Sequence, residues 1–178
     1  MAVASTSACS KNKKAQPVTT AQPTSDPNAG KKEQKPAPDL TKDQQVSPGL
    51  AISGDIVALC NLKIEKTAAQ PKFDYDKDEL TEPDRKVLDQ IAACMTTGPL
   101  KGKTVSLIGR ADPRGTEEYN MGLGSRRAQS VSQYLGRLGV GQPQLAVTTR
   151  GALDAKGSDE AGWKEDRRVD IQLATPEG

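Results

Sequence analysis

Apolar residues are distributed unevenly along this chain of 178 residues. Residues 10–49 are built from Pro, Lys, Gln, Thr, Ala and Asp with almost nothing aliphatic to bury, which predicts a disordered linker. From residue 50 onward the pattern becomes periodic. In "DIVALCNLKI", Ile56, Ala58, Cys60, Leu62 and Ile64 fall on one side at a spacing of two, and that period predicts a half-buried strand. A helix is signalled next by Thr81 as N-cap, Asp84 three residues on and Pro83 in the first turn. Its apolar stripe is Val87, Leu88, Ile91, Cys94 and Met95, and "TGPLKG" ends it. "KTVSLIGRAD" reads as a second strand. A second helix carries Leu123, Arg127, Val131, Tyr134, Leu135 and Leu138 at helical spacing, until "GVGQPQ" breaks it. "LAVTTRG" and "RRVDIQLA" are two further strands, separated by the polar loop "ALDAKGSDEAGWKED". The order β-α-β-α-β-β implies an α/β (α+β) sandwich: a mixed sheet with two main helices packed on one face.

Composition narrows the function classes. The net charge is +2, from 25 basic and 23 acidic residues, which gives no general electrostatic reason to expect nucleic acid. With no histidine and only three cysteines, there is no basis for a zinc site or for a nucleophile activated by imidazole. Asp74, Asp76 and Asp78 sit close together but lack the glycine and terminal glutamate of a calcium loop. No cofactor, no metal and no enzyme activity are predicted. No run of 18 apolar residues occurs, so the sequence encodes no membrane-spanning helix.

The N-terminal "MAVASTSAC", residues 1–9, places small residues before Cys9 in the manner of a lipoprotein signal that has lost its start. Cys9 is then either a lipidation site or an ordinary thiol. The following linker of roughly 40 residues would reach on the order of 35 Å as a coil, and about 120 Å if extended, enough to join an anchor to a distant target. Cys60 and Cys94 both fall on core-facing positions. They are either a disulfide or two buried thiols.

One charge interrupts the core pattern. Arg127 lies four residues from both Leu123 and Val131, so it faces the packed side of its helix, where an unpaired guanidinium costs several kcal/mol. Asp112, at the end of the second strand and held extended by Pro113, is the candidate partner. The pair is either a plain salt bridge or a two-sign clamp for a zwitterion, with the carboxylate taking an ammonium and the guanidinium a carboxylate.

The stretch "GRADPRGTEEYNMGLGSRRAQSVSQYL" resembles the signature of the OmpA C-terminal family in Asp112, Gly115, Tyr119, Asn120, Leu123, Arg126, Arg127, Ala128, Val131, Tyr134 and Leu135. "FDYDK" (Phe73 to Lys77) is similar to the family's opening block and "DRRVDI" (Asp166 to Ile171) to its closing one. The resemblance covers about residues 56–174, within a domain set at 50–178. It implies non-covalent binding of peptidoglycan without cleavage, with Asp112 and Arg127 holding the free end of meso-diaminopimelate in the stem peptide. Asn120, Asp74 and Arg168 are carried over as neighbours of that groove. Asn120 also reads as a turn residue bonding its own backbone, and Asp74 as an Asx-turn. Arg167 and Arg168 alternate on a strand, so one lines the groove and the other is solvated. The lipid-anchored branch further implies attachment to the periplasmic face of the outer membrane through Cys9, and Tol-system proteins as partners; the alternative use is protein docking. Departures are Arg110 and Ala111 for the family's His/Tyr and Thr, and Gly124 for a serine read as a helix-start position.

Overall fold

The computed structural model describes residues 46–47, 49–64 and 73–174. Cys9 and most of the predicted linker lie outside these residues. Among the described residues strand pairing starts at Val46, inside the stretch assigned to the linker: β1 (Val46–Ser47) forms an antiparallel hairpin with β2 (Leu50–Ile52). The helix α1 (Gly54–Cys60) follows, then α2 (Glu82–Thr96), β3 (Val105–Arg110), α3 (Glu117–Arg137), a 3-10 turn (Gln142–Gln144), β4 (Leu145–Gly151), α4 (Glu160–Asp166) and β5 (Val169–Leu173).

The sheet order is β1-β2-β5-β3-β4. β5 runs parallel to β2 and antiparallel to β3, and β4 is parallel to β3. This is the mixed sheet expected. One of its faces carries Leu50, Ile52, Val105, Leu107, Val169 and Ile171, all without exposed surface, and these pack with Val87, Leu88 and Ile91 of α2 and Ala128, Val131 and Leu135 of α3. Burial of these aliphatic side chains supplies the main stabilisation, roughly 1.5–3 kcal/mol for each large one.

Three stretches differ from the pattern reading: 46–52, 54–60 and 160–166. Residues 54–60 are helical where a strand was predicted. Ile56 and Cys60 are four apart, so they share a helix face as readily as a strand face, and the exposed Ala58 shows which period holds. Asn61, in the left-handed conformation at φ 48°, closes α1, and the Leu62 N–H donates back to the Val57 carbonyl (3.1 Å). The strand that pairs with β5 is instead the short, fully buried Leu50–Ile52. Within the predicted polar loop, Asp159 caps α4 by accepting from the Gly162 N–H at 2.9 Å.

The α2 start is as read. Thr81 and Asp84 form a capping box, and the buried Asp84 also accepts the Gly49 N–H at 2.6 Å, tying the helix to the strand entry. Cys60 and Cys94 form a disulfide with Cα atoms 5.6 Å apart, joining α1 to α2. Among the described residues no helix is long and apolar enough to cross a membrane.

Candidate functional site

The site forms where β3 ends and α3 begins, and a close backbone contact sets its geometry. Gly109, next to last in β3, lies against Gly124 of α3 so tightly that a Cβ built on Gly109 would stand 1.8 Å from the Gly124 carbonyl oxygen. Gly124 is therefore an interior helix residue seated on the sheet, and not a cap as the sequence comparison suggested. With α3 pinned there, Arg127 is carried over the strand end less than one turn later.

Arg127 is completely buried. It does not pair with Asp112, contrary to the sequence reading. Its Nε donates to the Lys77 carbonyl (2.8 Å), Nη1 to the Arg110 carbonyl (2.8 Å) and Nη2 to the Asp74 carbonyl (3.2 Å). The Phe73 ring centroid lies 5.1 Å from the guanidinium carbon. The partners are thus neutral carbonyls of the 73–77 loop and of the β3 end. Burial, and next the charge of Arg167, pull the guanidinium well below its ordinary value, down to about 10, against the pull of Asp112, Asp78 and Asp76. Arg127 stays cationic at neutral pH with no carboxylate in hydrogen-bond contact among the described residues. One N–H on each Nη remains undonated, since a guanidinium has five donors and these bonds use three.

Asp112 is also buried, and two other arginines hold it. Arg114 donates from its backbone N–H (3.2 Å) and Nε (3.2 Å) to Oδ1 and from Nη2 to Oδ2 (2.7 Å). Arg167 donates from Nη1 to Oδ2 at 3.1 Å. Burial pushes the Asp112 carboxyl up, but these hydrogen bonds outweigh it and hold the group below its ordinary value. Arg167 also donates to the Phe73 carbonyl (2.6 Å) and to Glu160 (2.9 Å), so it knits the 73–77 loop, the β3 end and α4 together.

The remaining predicted residues fall as follows. The Asn120 side chain donates to the Arg114 carbonyl at 3.0 Å and shapes the loop between β3 and α3. Asp74 offers its backbone carbonyl to Arg127 and to the Lys77 N–H (3.1 Å), while its side chain is exposed. Arg168 points away from Asp112: its Nε donates to Asp170 (2.8 Å) and its Nη1 to the Glu165 carbonyl (2.9 Å). Arg167 and Arg168 are both buried, at 2% and 6% exposure, so neither is solvated and the one that reaches Asp112 is Arg167. A strand junction whose two faces are both covered by charge partners was not visible in the alternation. Arg110 joins Arg168 on that side, paired with both Asp170 and Asp154.

Sequence reasoning also missed the aromatic wall. Arg114 is stacked between the rings of Tyr75 and Trp163, 4.3 Å from each centroid. Tyr119 donates its hydroxyl to Asp76. Of one Phe, three Tyr and one Trp in the chain, only Tyr134 stands elsewhere, on the Asp89 side of α3. The concentration of scarce rings in three separated blocks was the available signal.

Those blocks, 73–77, 109–127 and 160–167, converge on one cluster of charge. Residues 72–169, more than half of the chain, match the OmpA family. The chain belongs to the OmpA family. Among curated relatives it is 39% identical over 102 residues to a peptidoglycan-associated lipoprotein of Pseudomonas putida, covering 56% of this chain and 60% of the relative. It is 36% identical over 103 residues to outer membrane protein A of Bordetella avium, covering 57% of this chain and 52% of that one. The chain therefore spans about 50–60% of the length of these relatives. The crystal structure of the peptidoglycan-associated lipoprotein from Burkholderia pseudomallei superposes with a TM-score of 0.54 at 32% identity, over 61% of this chain and 98% of that one. The mixed α/β architecture is that of the OmpA-like fold.

Proposed function

We propose that this OmpA-family domain binds peptidoglycan non-covalently through the meso-diaminopimelate of the stem peptide, as a non-enzymatic anchor of the cell envelope. The observation that carries the reading is the state of Arg127: a buried cation held by three neutral carbonyls and, among the described residues, without a carboxylate in hydrogen-bond contact. The depression of its pKa to about 10 means that the charged form is disfavoured where it sits. A ligand carboxylate on the two spare Nη donors would relieve it. Asp112 beside it accounts for the ammonium of the same zwitterion. The similarity to relatives named as peptidoglycan-associated lipoproteins supports the choice of polymer.

Attachment to the periplasmic face of the outer membrane through a lipid on Cys9 belongs to the same proposal. Mass spectrometry of the native N-terminus tests that part, and an unmodified Cys9 thiol would remove it. The ligand assignment is tested by calorimetric titration of the protein with free meso-diaminopimelate and with Nα-acetyl-lysine amide, which offers only an ammonium. The diaminopimelate should bind and the lysine derivative should not. Equal binding would contradict the role given to Arg127.

A further inference from the structure

We propose that Arg114 is a built-in competitor for the ligand ammonium, and that its displacement sets the selectivity of the site for a zwitterion; the inference rests on the diaminopimelate reading above. A carboxylate has about four lone-pair positions for hydrogen bonds. Oδ1 of Asp112 receives the backbone N–H and Nε of Arg114, and Oδ2 receives Nη2 of Arg114 and Nη1 of Arg167. The carboxylate is saturated, so an incoming ammonium gains nothing until a guanidinium leaves.

Arg167 is not the one that leaves. It is 2% exposed and is held at the same time by the Phe73 carbonyl and Glu160. Arg114 has 31% of its side chain exposed and sits in the short loop between β3 and α3. Its guanidinium is bidentate on Asp112, with Glu160 3.4 Å away and the Tyr75 and Trp163 rings on its two faces. It therefore occupies the place of a ligand cation, complete with carboxylate and aromatic partners. When it swings out, its backbone N–H can stay on Oδ1 while two side-chain bonds are vacated.

Selectivity follows from the competition. An ammonium alone exchanges one cation for another at Asp112 and forfeits the two ring contacts, so it gains little. A ligand that also delivers a carboxylate to Arg127 compensates a charge that Arg114 cannot reach. The site thus rejects simple amines, including a lysine side chain, without any steric barrier.

The experiment uses the full chain and Trp163, its only tryptophan, whose emission reports whether the Arg114 guanidinium lies on the indole. Wild type, Arg114→Ala and Arg114→Gln are titrated with meso-diaminopimelate and with Nα-acetyl-lysine amide, by calorimetry and by Trp163 fluorescence. Loss of a bidentate pair whose guanidinium is partly exposed, and of two ring contacts, should tighten diaminopimelate binding about tenfold in both variants. Binding of the lysine derivative should become detectable in the variants. Ligand should shift Trp163 emission in wild type toward that of the unliganded variants, and leave the variants unshifted. Weaker or unchanged diaminopimelate binding in both folded variants would overturn the proposal and make Arg114 a direct ligand contact or a bystander. Calorimetric silence in wild type and both variants alike would instead sink the diaminopimelate reading, and this inference with it.

Discussion

The seat of α3 on β3 makes a prediction whose size and sign can be worked from distances. Alanine at Gly109 would place its Cβ 1.8 Å from the Gly124 carbonyl oxygen and 2.5 Å from its carbonyl carbon. Both are backbone atoms, so no rotamer change relieves the clash. Restoring ordinary contact at about 3.5 Å requires α3 to move off the sheet by roughly 1.5 Å. Overpacking of this kind costs about 1–3 kcal/mol, and the upper end applies because Ala128, Val131 and Leu135 lift with the helix. Gly124→Ala meets the Thr149 hydroxyl at 2.4 Å and the Gly109 carbonyl oxygen at 2.9 Å, and should cost somewhat less because one neighbour is a side chain. Gly122→Ala is the contrast. It lies in the same helix, its new Cβ meets only the flexible Arg126 Nη1 at 3.6 Å, and it gains helix propensity of about 0.5–1 kcal/mol. Calorimetric melting should give a Tm lowered by roughly 10 °C for Gly109→Ala and raised by a few degrees for Gly122→Ala. Gly109→Ala should also weaken ligand retention, because Arg127 moves with the helix. A Gly109→Ala protein that melts with wild type, or a Gly122→Ala protein destabilised as much as Gly109→Ala, would refute the backbone seat.

Two further outcomes follow from other parts of the molecule. The Cys60–Cys94 link, with a sequence separation of 34, closes a loop worth about 4 kcal/mol of chain entropy. Reductant, or a Cys60→Ala/Cys94→Ala pair, should lower the urea midpoint accordingly, whereas an unchanged midpoint would place the stabilisation elsewhere. Asp112 and Asp154 both hold folded values below the ordinary carboxylate range, Asp112 despite its burial and Asp154 chiefly through the hydrogen bond from Arg150. Their contribution is complete above the unfolded value of about 3.9 and is lost as pH falls through the lower folded values. Urea midpoints measured downward from neutral pH should stay level to about pH 4 and then drop, and Asp112→Asn should shrink the drop; a curve unaffected by that substitution would contradict the assignment.

How much of this was legible in the sequence depends on whether a residue's partner is a side chain or a backbone. The helical stripe placed Arg127 on the packed face, and it is buried there. Its partners could not be read, because carbonyls of Lys77, Arg110 and Asp74 are available from any residue type and depend on where a loop 50 residues away crosses the strand end. α1 was misread because seven residues are too few to separate a period of two from one of 3.6 when Ile56 and Cys60 satisfy both. α4 was hidden in a polar loop, although Asp159 ahead of Glu160 carried the mark of a helix start. Gly124 shows the same limit. A comparison of motifs read it as a poor cap, and the close approach of the Thr149 hydroxyl and the Gly109 backbone explains why no side chain fits there. The two cysteines, by contrast, were legible as a candidate pair, since both lie at core-facing positions of the pattern and their link needs no third residue.

The central claim is that a buried, carboxylate-free Arg127 and a saturated Asp112 together form the receptor for diaminopimelate in peptidoglycan. Its most direct test is co-sedimentation of the protein with purified sacculi containing meso-diaminopimelate, for wild type, Asp112→Ala and Arg127→Ala, each first shown by thermal melting to be folded. Wild type should pellet with the sacculi, and each folded variant should remain mostly in the supernatant; undiminished pelleting of both variants would contradict the claim.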